Sequence, residues 1–247
     1  MEFGLMLYDI GGKGQSDVSF GNKAEIVETR TARRVQPLHF GANYNKTPLE
    51  FKLVFGRDHP IDRFEMENIA YWLTGHQDYQ WLSIDQPDLD HVQFRCLITE
   101  LSPITSGWAP VAFEATVRCD CPYAYSRPYS YVYSINGSAD IVFHDSGSVH
   151  EYTRPTICFT PSGSSSTLRI VNADDGDRTF ELKDIPADSN IIIKNASGII
   201  TEVNHGYNLY KGFNMYFFRT VHGDNHLHIE GDGELTISGR FMHNVAG

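Results

Sequence analysis

The chain has 247 residues, 41% apolar and 21% charged, and a net charge of −11 from 20 basic and 31 acidic side chains. That is a globular composition, long enough for one large domain or two small ones, and it is not a disordered one. There is no run of about 18 apolar residues to span a membrane, and no basic stripe to line a nucleic-acid groove. The acidity is even, with 12 Lys/Arg against 17 Asp/Glu in residues 1–133 and 8 against 14 in residues 134–247. An acidic surface repels phosphate, which suits nucleic acid that must pass without sticking. Met1-Glu2-Phe3-Gly4 lacks the basic-then-apolar pattern of a secretory signal.

The first clear element in chain order is a strand over 49–56, with Leu49, Phe51, Leu53 and Phe55 on one face and Glu50 and Lys52 on the other. A helix follows over 62–74. Asp62 is its expected N-cap and Glu65 completes a capping-box spacing. Met66, Ile69, Ala70 and Leu73 form one apolar stripe, and Gly75 is the stop. Further strands are expected at 92–99, 111–118, 140–143, 156–160, 167–171, 178–182, 190–194, 198–203, 226–230 and 234–242. Asp174–Asp177, Asn195–Gly198 and Gly231-Asp232-Gly233 read as turns. The high aromatic content, 13 Tyr and 15 Phe, also favours strands.

The texture changes near residue 127. All three tryptophans, Trp72, Trp81 and Trp108, precede it. Short strands at regular spacing follow it, which is the pattern of a β-sandwich. The bridge over 122–129 holds two prolines and three tyrosines and reads as an ordered crossing. The expected organisation is all-β with one short helix, in two domains, 1–130 and 131–247. The first carries the helix. The last strand, around 234–242, is assignable to either domain.

No catalytic set stands out. Asp145-Ser146-Gly147 matches the aspartic-protease signature, but those enzymes need two such aspartates sharing a proton, and the motif is also ordinary turn chemistry. His226 and His228 alternate on one strand face as metal ligands do, with His222, Asp224 and His205 as further donors. A zinc site needs a third ligand, and nothing in the spacing fixes one. Cys119 and Cys121 are expected on one strand face. Their spacing is too short for a zinc knuckle, and four cysteines (with Cys96 and Cys158) are too few for a disulfide scaffold, so they read as buried free thiols. The Ser162–Ser166 cluster reads as a loop without a nucleophile elbow, and Gly11-Gly12-Lys13-Gly14 lacks phosphate-loop spacing. Tyr207, Tyr210, Phe213, Tyr216, Phe217 and Phe218 form an aromatic cluster. It reads as core for the phenylalanines and rim for the tyrosines, with sugar stacking as the rival. No catalytic, cofactor-binding or metal-binding residue is therefore assigned, and no cofactor.

Several stretches are nonetheless familiar together. They are Pro48–Arg57 (Pro-Leu-Glu-Phe-Lys-Leu-Val-Phe-Gly-Arg), Arg63–Gly75, Tyr79-Gln80-Trp81-Leu82 and Phe113–Tyr125 with its Cys119-Asp120-Cys121-Pro122-Tyr123 run. In this order and spacing, across about residues 28–127, the N-terminal half resembles the distal tail proteins of siphophages that infect Gram-positive bacteria. Ile170-Val171-Asn172, Gly206-Tyr207-Asn208 and Gly223-Asp224-Asn225 look more loosely like that family's galectin-like sandwich. The His-Asn-Arg and Trp-Glu-Arg sets of galectin sugar sites are missing.

The resemblance implies a barrel-like (split-barrel) N-terminal domain followed by the galectin-like sandwich, in a structural, non-enzymatic protein of the virion, at the distal end of the phage tail and assembled in the host cytoplasm. It implies a hexameric ring that joins the major tail tube protein to the tail-associated hub protein, with receptor-binding proteins as outer partners. Genomic DNA passes through the lumen without specific binding, and no membrane is involved. Head-to-tail closure of such a ring needs two different complementary patches per subunit. The polar, turn-rich stretches Gly11–Gly21 and His39–Lys46 are the expected ring-contact loops. A carbohydrate-binding module for host cell-wall adhesion is the first alternative, and an enzyme built on Asp145 the second.

Overall fold

The computed structural model describes residues 5–10, 24–32, 34–44, 47–87, 89–149, 151–162 and 167–245. The chain forms two compact units, residues 1–125 with 244–247 and residues 126–243. It is mostly β, its sheets include a half-barrel, and there is one α-helix among the described residues.

The first unit contains β1 (Met6–Ile10), β2 (Ala24–Thr29), β3 (Leu38–Tyr44), β4 (Glu50–Gly56), α1 (Arg63–Thr74), β5 (Gln80–Leu82), β6 (Val92–Ser106) and β7 (Ala109–Cys119). The antiparallel order is β1-β4-β7-β6, with β5 also pairing with β6. Strand β4 keeps the expected alternation. Leu53 is buried, and Leu49, Phe51 and Phe55 pack around the same core with Phe94 and Val117. In α1 the capping box is closed in both directions. The Asp62 carboxylate accepts from the Glu65 amide at 2.8 Å, and the Glu65 carboxylate accepts from the Asp62 amide at 3.3 Å. Ile69 is fully buried, and Met66 and Leu73 pack beside it against Ile61 and Phe113. The Gly75 amide closes the helix on the Tyr71 carbonyl at 2.8 Å, where a Cβ would lie 2.5 Å from that oxygen.

Two expectations are corrected here. Strand β7 ends at Cys119, so Cys121 lies in the following bend and does not share a strand face with it. Cys119 instead sits directly across from Cys96 in the β6–β7 register. All four cysteines are free. Burial pushes the Cys96 thiol up to about 11 and the Cys119 thiol to about 12. The second correction concerns His39–Lys46. Residues 39–44 belong to strand β3, paired with β2, and 45–46 lie outside the described residues. So does all of Gly11–Gly21, along with residues 163–166 of the serine cluster.

Strand β8 (Ala124–Ser126) leads into the second unit. That unit holds β9 (Tyr129–Asp145), β10 (Thr156–Pro161), β11 (Leu168–Asn172), β12 (Arg178–Leu182), β13 (Ile191–Lys194), β14 (Ile199–Glu202), β15 (Gly223–Gly239) and β16 (Met242–His243). Strand β15 is its organiser. It pairs with β9 along all of residues 223–239. On its other side its first half pairs with β11 and its second half with β10. The remaining order is β12-β11 on one flank and β10-β13-β14 on the other. One sheet is thus folded over on itself to make both layers of a sandwich. The inner faces of the two halves share a single core, including Phe143, Leu227, Ile229 and Ile170 from one half and Phe159, Ile193, Leu235 and Ile237 from the other.

The expected turn at Gly231-Asp232-Gly233 is therefore a bend inside one strand. The buried positions keep one parity on both sides of the crease, Asn225, Leu227 and Ile229 before it and Gly233, Leu235 and Ile237 after it, with Gly231 half-buried between them. The φ values of Gly231 and Gly233 are +151° and +150°. A Cβ would lie 2.9 Å from the Thr167 carbonyl oxygen at Gly231 and 2.3 Å from that of Thr160 at Gly233. Only glycine allows the neighbouring backbone to come so close. The strand expected around 234–242 is the second half of β15 and lies in the second unit. Only the tail beyond it joins the first unit, where Val245 packs on the core.

Candidate assembly surface

Strands β2 and β3 form a two-stranded sheet of their own. An isolated two-stranded ribbon is marginal in water unless something packs on it. This one exposes Ile26 (62%) and Phe40 (67%), and Val35 at its tip is fully exposed. The register skips at Phe40: Val27 pairs with Gly41 and Glu28 with His39. That is a β-bulge, a device that re-aims a side chain. Arg30 and Arg34 flank the tip, which makes it locally basic on an acidic chain.

A second exposed surface lies on α1. The helix buries one stripe, yet Phe64 (77%), Tyr71 (79%) and Trp72 (51%) are exposed on its other sides. A helix that is apolar on most of its circumference normally has neighbours on most of it. Its surroundings are acidic, with Asp58, Asp62, Glu65, Glu67 and Asp78 against Arg63 between residues 58 and 78. Trp108, at the tight β6–β7 turn, is nearly fully exposed. An apolar cleft of about 440 Å³ in the same unit is lined by Leu7, Leu53, Phe55, Trp72, Trp81 and Leu82, among others. Exposed apolar area of this extent marks interaction surfaces.

The chemical candidates fall differently. The Asp145 carboxylate is buried and accepts from the Thr220 hydroxyl at 2.8 Å and the Gly147 amide at 3.0 Å, so it ties loops together. The two histidines of β15 engage separate carboxylates. His226 Nδ1 lies 3.0 Å from Asp174, and His228 Nδ1 lies 2.6 Å from Asp140. No group of three or more metal-type ligands occurs among the described residues. Of the aromatic cluster, Phe213 and Phe218 are core, while Tyr207, Tyr210 and Tyr216 are exposed. No helix among the described residues is long and apolar enough to cross a membrane. The sequence reading missed the β2–β3 ribbon. Its one signal was a pair of β-type runs flanking the Arg30–Pro37 stretch.

A helix-bearing β unit is followed in this chain by a folded-over sandwich. The family model described as the phage tail protein N-terminal domain matches residues 1–121, and that of the phage tail C-terminal domain matches residues 123–239. The chain belongs to this phage tail protein family, and so is a structural component of the virion. Its fold is that of the solved Dit protein (gp 19.1) of phage SPP1, described as a paradigm of the hub adsorption apparatus in Gram-positive infecting phages. The TM-score is 0.66 at 12% identity, covering 96% of this chain and 93% of that one. The phage P2 baseplate in its activated conformation with Ca also contains the fold, with TM-score 0.51, 11% identity, and 95% and 90% coverage. No curated protein matches the chain.

Proposed function

We propose that this protein is the distal tail adaptor, closing with five further copies into a ring between the tail tube and the hub. The observation that carries this reading is the β2–β3 ribbon. Its exposed apolar residues have no layer within the ribbon to cover them, and the outward face of α1 is a different apolar patch of opposite local charge. Two unlike, complementary patches on one subunit are what a heterologous ring requires. In such a ring the tube protein and the hub occupy opposite faces, receptor-binding proteins attach outside, and DNA crosses a lumen whose acidity prevents retention. The fold shared with a hub adsorption protein and a baseplate component supports this placement.

The test is molar mass by light scattering with negative-stain imaging, on the protein alone and mixed with the tail tube protein of the same phage. The expected species has sixfold mass and is annular. Ile26→Asp with Phe40→Asp leaves the thermal transition in place and abolishes the ring. A strict monomer under both conditions refutes the proposal.

A further inference from the structure

The second unit carries eight buried polar residues among those described. Six of them, Asp145, Thr153, Asn172, Asn195, Thr220 and Asn225, hold the same two segments, 152–155 and 217–225. Thr153 and Thr220 exchange backbone hydrogen bonds at 3.1 and 2.9 Å. The Thr220 hydroxyl donates to Asp145. The Asn195 amide nitrogen donates to the Pro155 carbonyl at 2.6 Å, and its oxygen accepts from the Phe218 amide at 2.9 Å. Asn172 donates to the Arg219 carbonyl and to Asn225, whose own side chain bonds the Val221 amide and carbonyl. An apolar core is simpler to satisfy than a buried polar network, so a network of this size is retained where geometry must be unique.

The surface held in this way is an aromatic and guanidinium array. Arg219 makes a bidentate pair with Asp175, at 2.6 and 2.9 Å, and its guanidinium lies 3.5 Å from the centre of the Tyr152 ring. Arg178 donates its Nε to the Phe217 carbonyl at 3.2 Å and lies 5.1 Å from the centre of the Tyr216 ring. The next loop is fixed as well. Asn214 donates to the Thr179 carbonyl and accepts from the Tyr216 amide, while Met215 between them adopts a left-handed φ of +66°. Such strain in a non-glycine residue persists only where the surroundings impose it, and it gathers at functional positions. Tyr152 and Tyr216 are 42% and 56% exposed.

We infer that the Tyr152–Arg219–Asp175–Arg178–Tyr216 array is a saccharide-binding platform, taking a neutral pyranose-containing polysaccharide. Three features select this class. Each tyrosine has a guanidinium against its ring and is exposed, which presents an oriented aromatic surface to the C–H side of a sugar ring. Among the described residues Arg178 engages its partners, the Phe217 carbonyl and the Asp175 carboxylate 4.0 Å away, through Nε, so its terminal nitrogens are donors for sugar hydroxyls. Among the described residues Met215 is the one exposed aliphatic side chain of this surface, short of the apolar centre that a protein–protein interface normally buries. Local charge is slightly acidic, with Arg178 and Arg219 against Asp174, Asp175 and the exposed Asp177, which disfavours a polyanion. The inference does not depend on ring formation.

The test uses the full-length protein and saturation-transfer-difference NMR against soluble hexoses, rhamnose, N-acetylhexosamines and their hexamers. Saturation should reach ring C–H protons of at least one pyranose. Tyr152→Ala, Tyr216→Ala and Arg178→Ala should each weaken that binding at least tenfold, while Tyr207→Ala, an exposed tyrosine elsewhere on the unit, leaves it unchanged. Thermal transitions of the four variants serve as the folding control. No transfer across the panel overturns the inference. So does binding that survives the three array substitutions, or capture of a tail protein at the array with no saccharide bound.

Discussion

Replacing Gly233 with Ala should damage the second unit more than its single methyl group suggests. The methyl would sit 2.3 Å from the Thr160 carbonyl oxygen and 2.8 Å from the Pro161 Cα, both backbone atoms that cannot rotate away. Relieving the overlap means separating β15 from β10, and overpacking of this kind costs about 1–3 kcal/mol. Holding a non-glycine residue at φ +150° adds about 1–3 kcal/mol. The combined loss is about 2–6 kcal/mol, and at about 3–4 °C per kcal/mol for a unit of this size the transition should fall by about 6–24 °C. Gly231→Ala, with its nearest backbone atom at 2.9 Å, should lose less. Gly137→Ala should lose least, about 1–2 kcal/mol, because its φ of +77° is strained for alanine but nothing lies within 4 Å. The assay separates the units: all three tryptophans lie in the first, so far-UV circular dichroism should move while the tryptophan-reported transition moves less. A Gly233→Ala protein within about 0.5 kcal/mol of the parent, or an inverted order of the three variants, would refute the account of the crease.

Three further outcomes follow from the local chemistry. Asp62→Ala removes the N-cap of α1 and should lower first-unit stability by about 1 kcal/mol in urea titrations, with Asp62→Ser recovering most of it. Glu202 is buried, which alone would raise its pKa, but amides of His205, Asn204, Asn190 and Tyr207 outweigh that and hold it down to about 2. Its contribution is therefore complete above the unfolded value near 4.5 and is lost as pH falls toward 2; Glu202→Gln should flatten that limb of the acid-unfolding curve. The Asp140 carboxylate raises the His228 pKa through a direct hydrogen bond, with the charges of Asp140 and Glu230 adding to it against desolvation. That pair supports the fold below the ordinary histidine value and fades as pH rises through the raised one, so Asp140→Asn should shift the His228 NMR titration downward.

Local chemistry was readable wherever the chain supplies both a pattern and the partner that enforces it. The capping box at Asp62 and Glu65, the stripe through Ile69 and the alternation around Leu53 each follow from a face that packs on the same chain. So do the turns at Asp174–Asp177 and Asn195–Gly198. The distal tail resemblance likewise rested on runs of this kind in the first unit. The β2–β3 ribbon escaped because neither of its faces is buried within the subunit: Leu38-His39-Phe40-Gly41-Ala42 carries no period, and the bulge at Phe40 breaks the alternation a strand would show.

The second unit shows the other limit. Sequence determined that β15 has two apolar-alternating halves around two glycines, but a reversal and a crease use the same residues. What decided between them is the 17-residue ladder with β9, whose partner lies some 90 positions away and continues through the bend without a slip. The array around Asp175 was hidden for the same reason. Tyr152, Asp175 and Arg219 are remote in sequence, and their meeting depends on buried asparagines and threonines whose hydrogen-bond partners only the folded chain brings within reach.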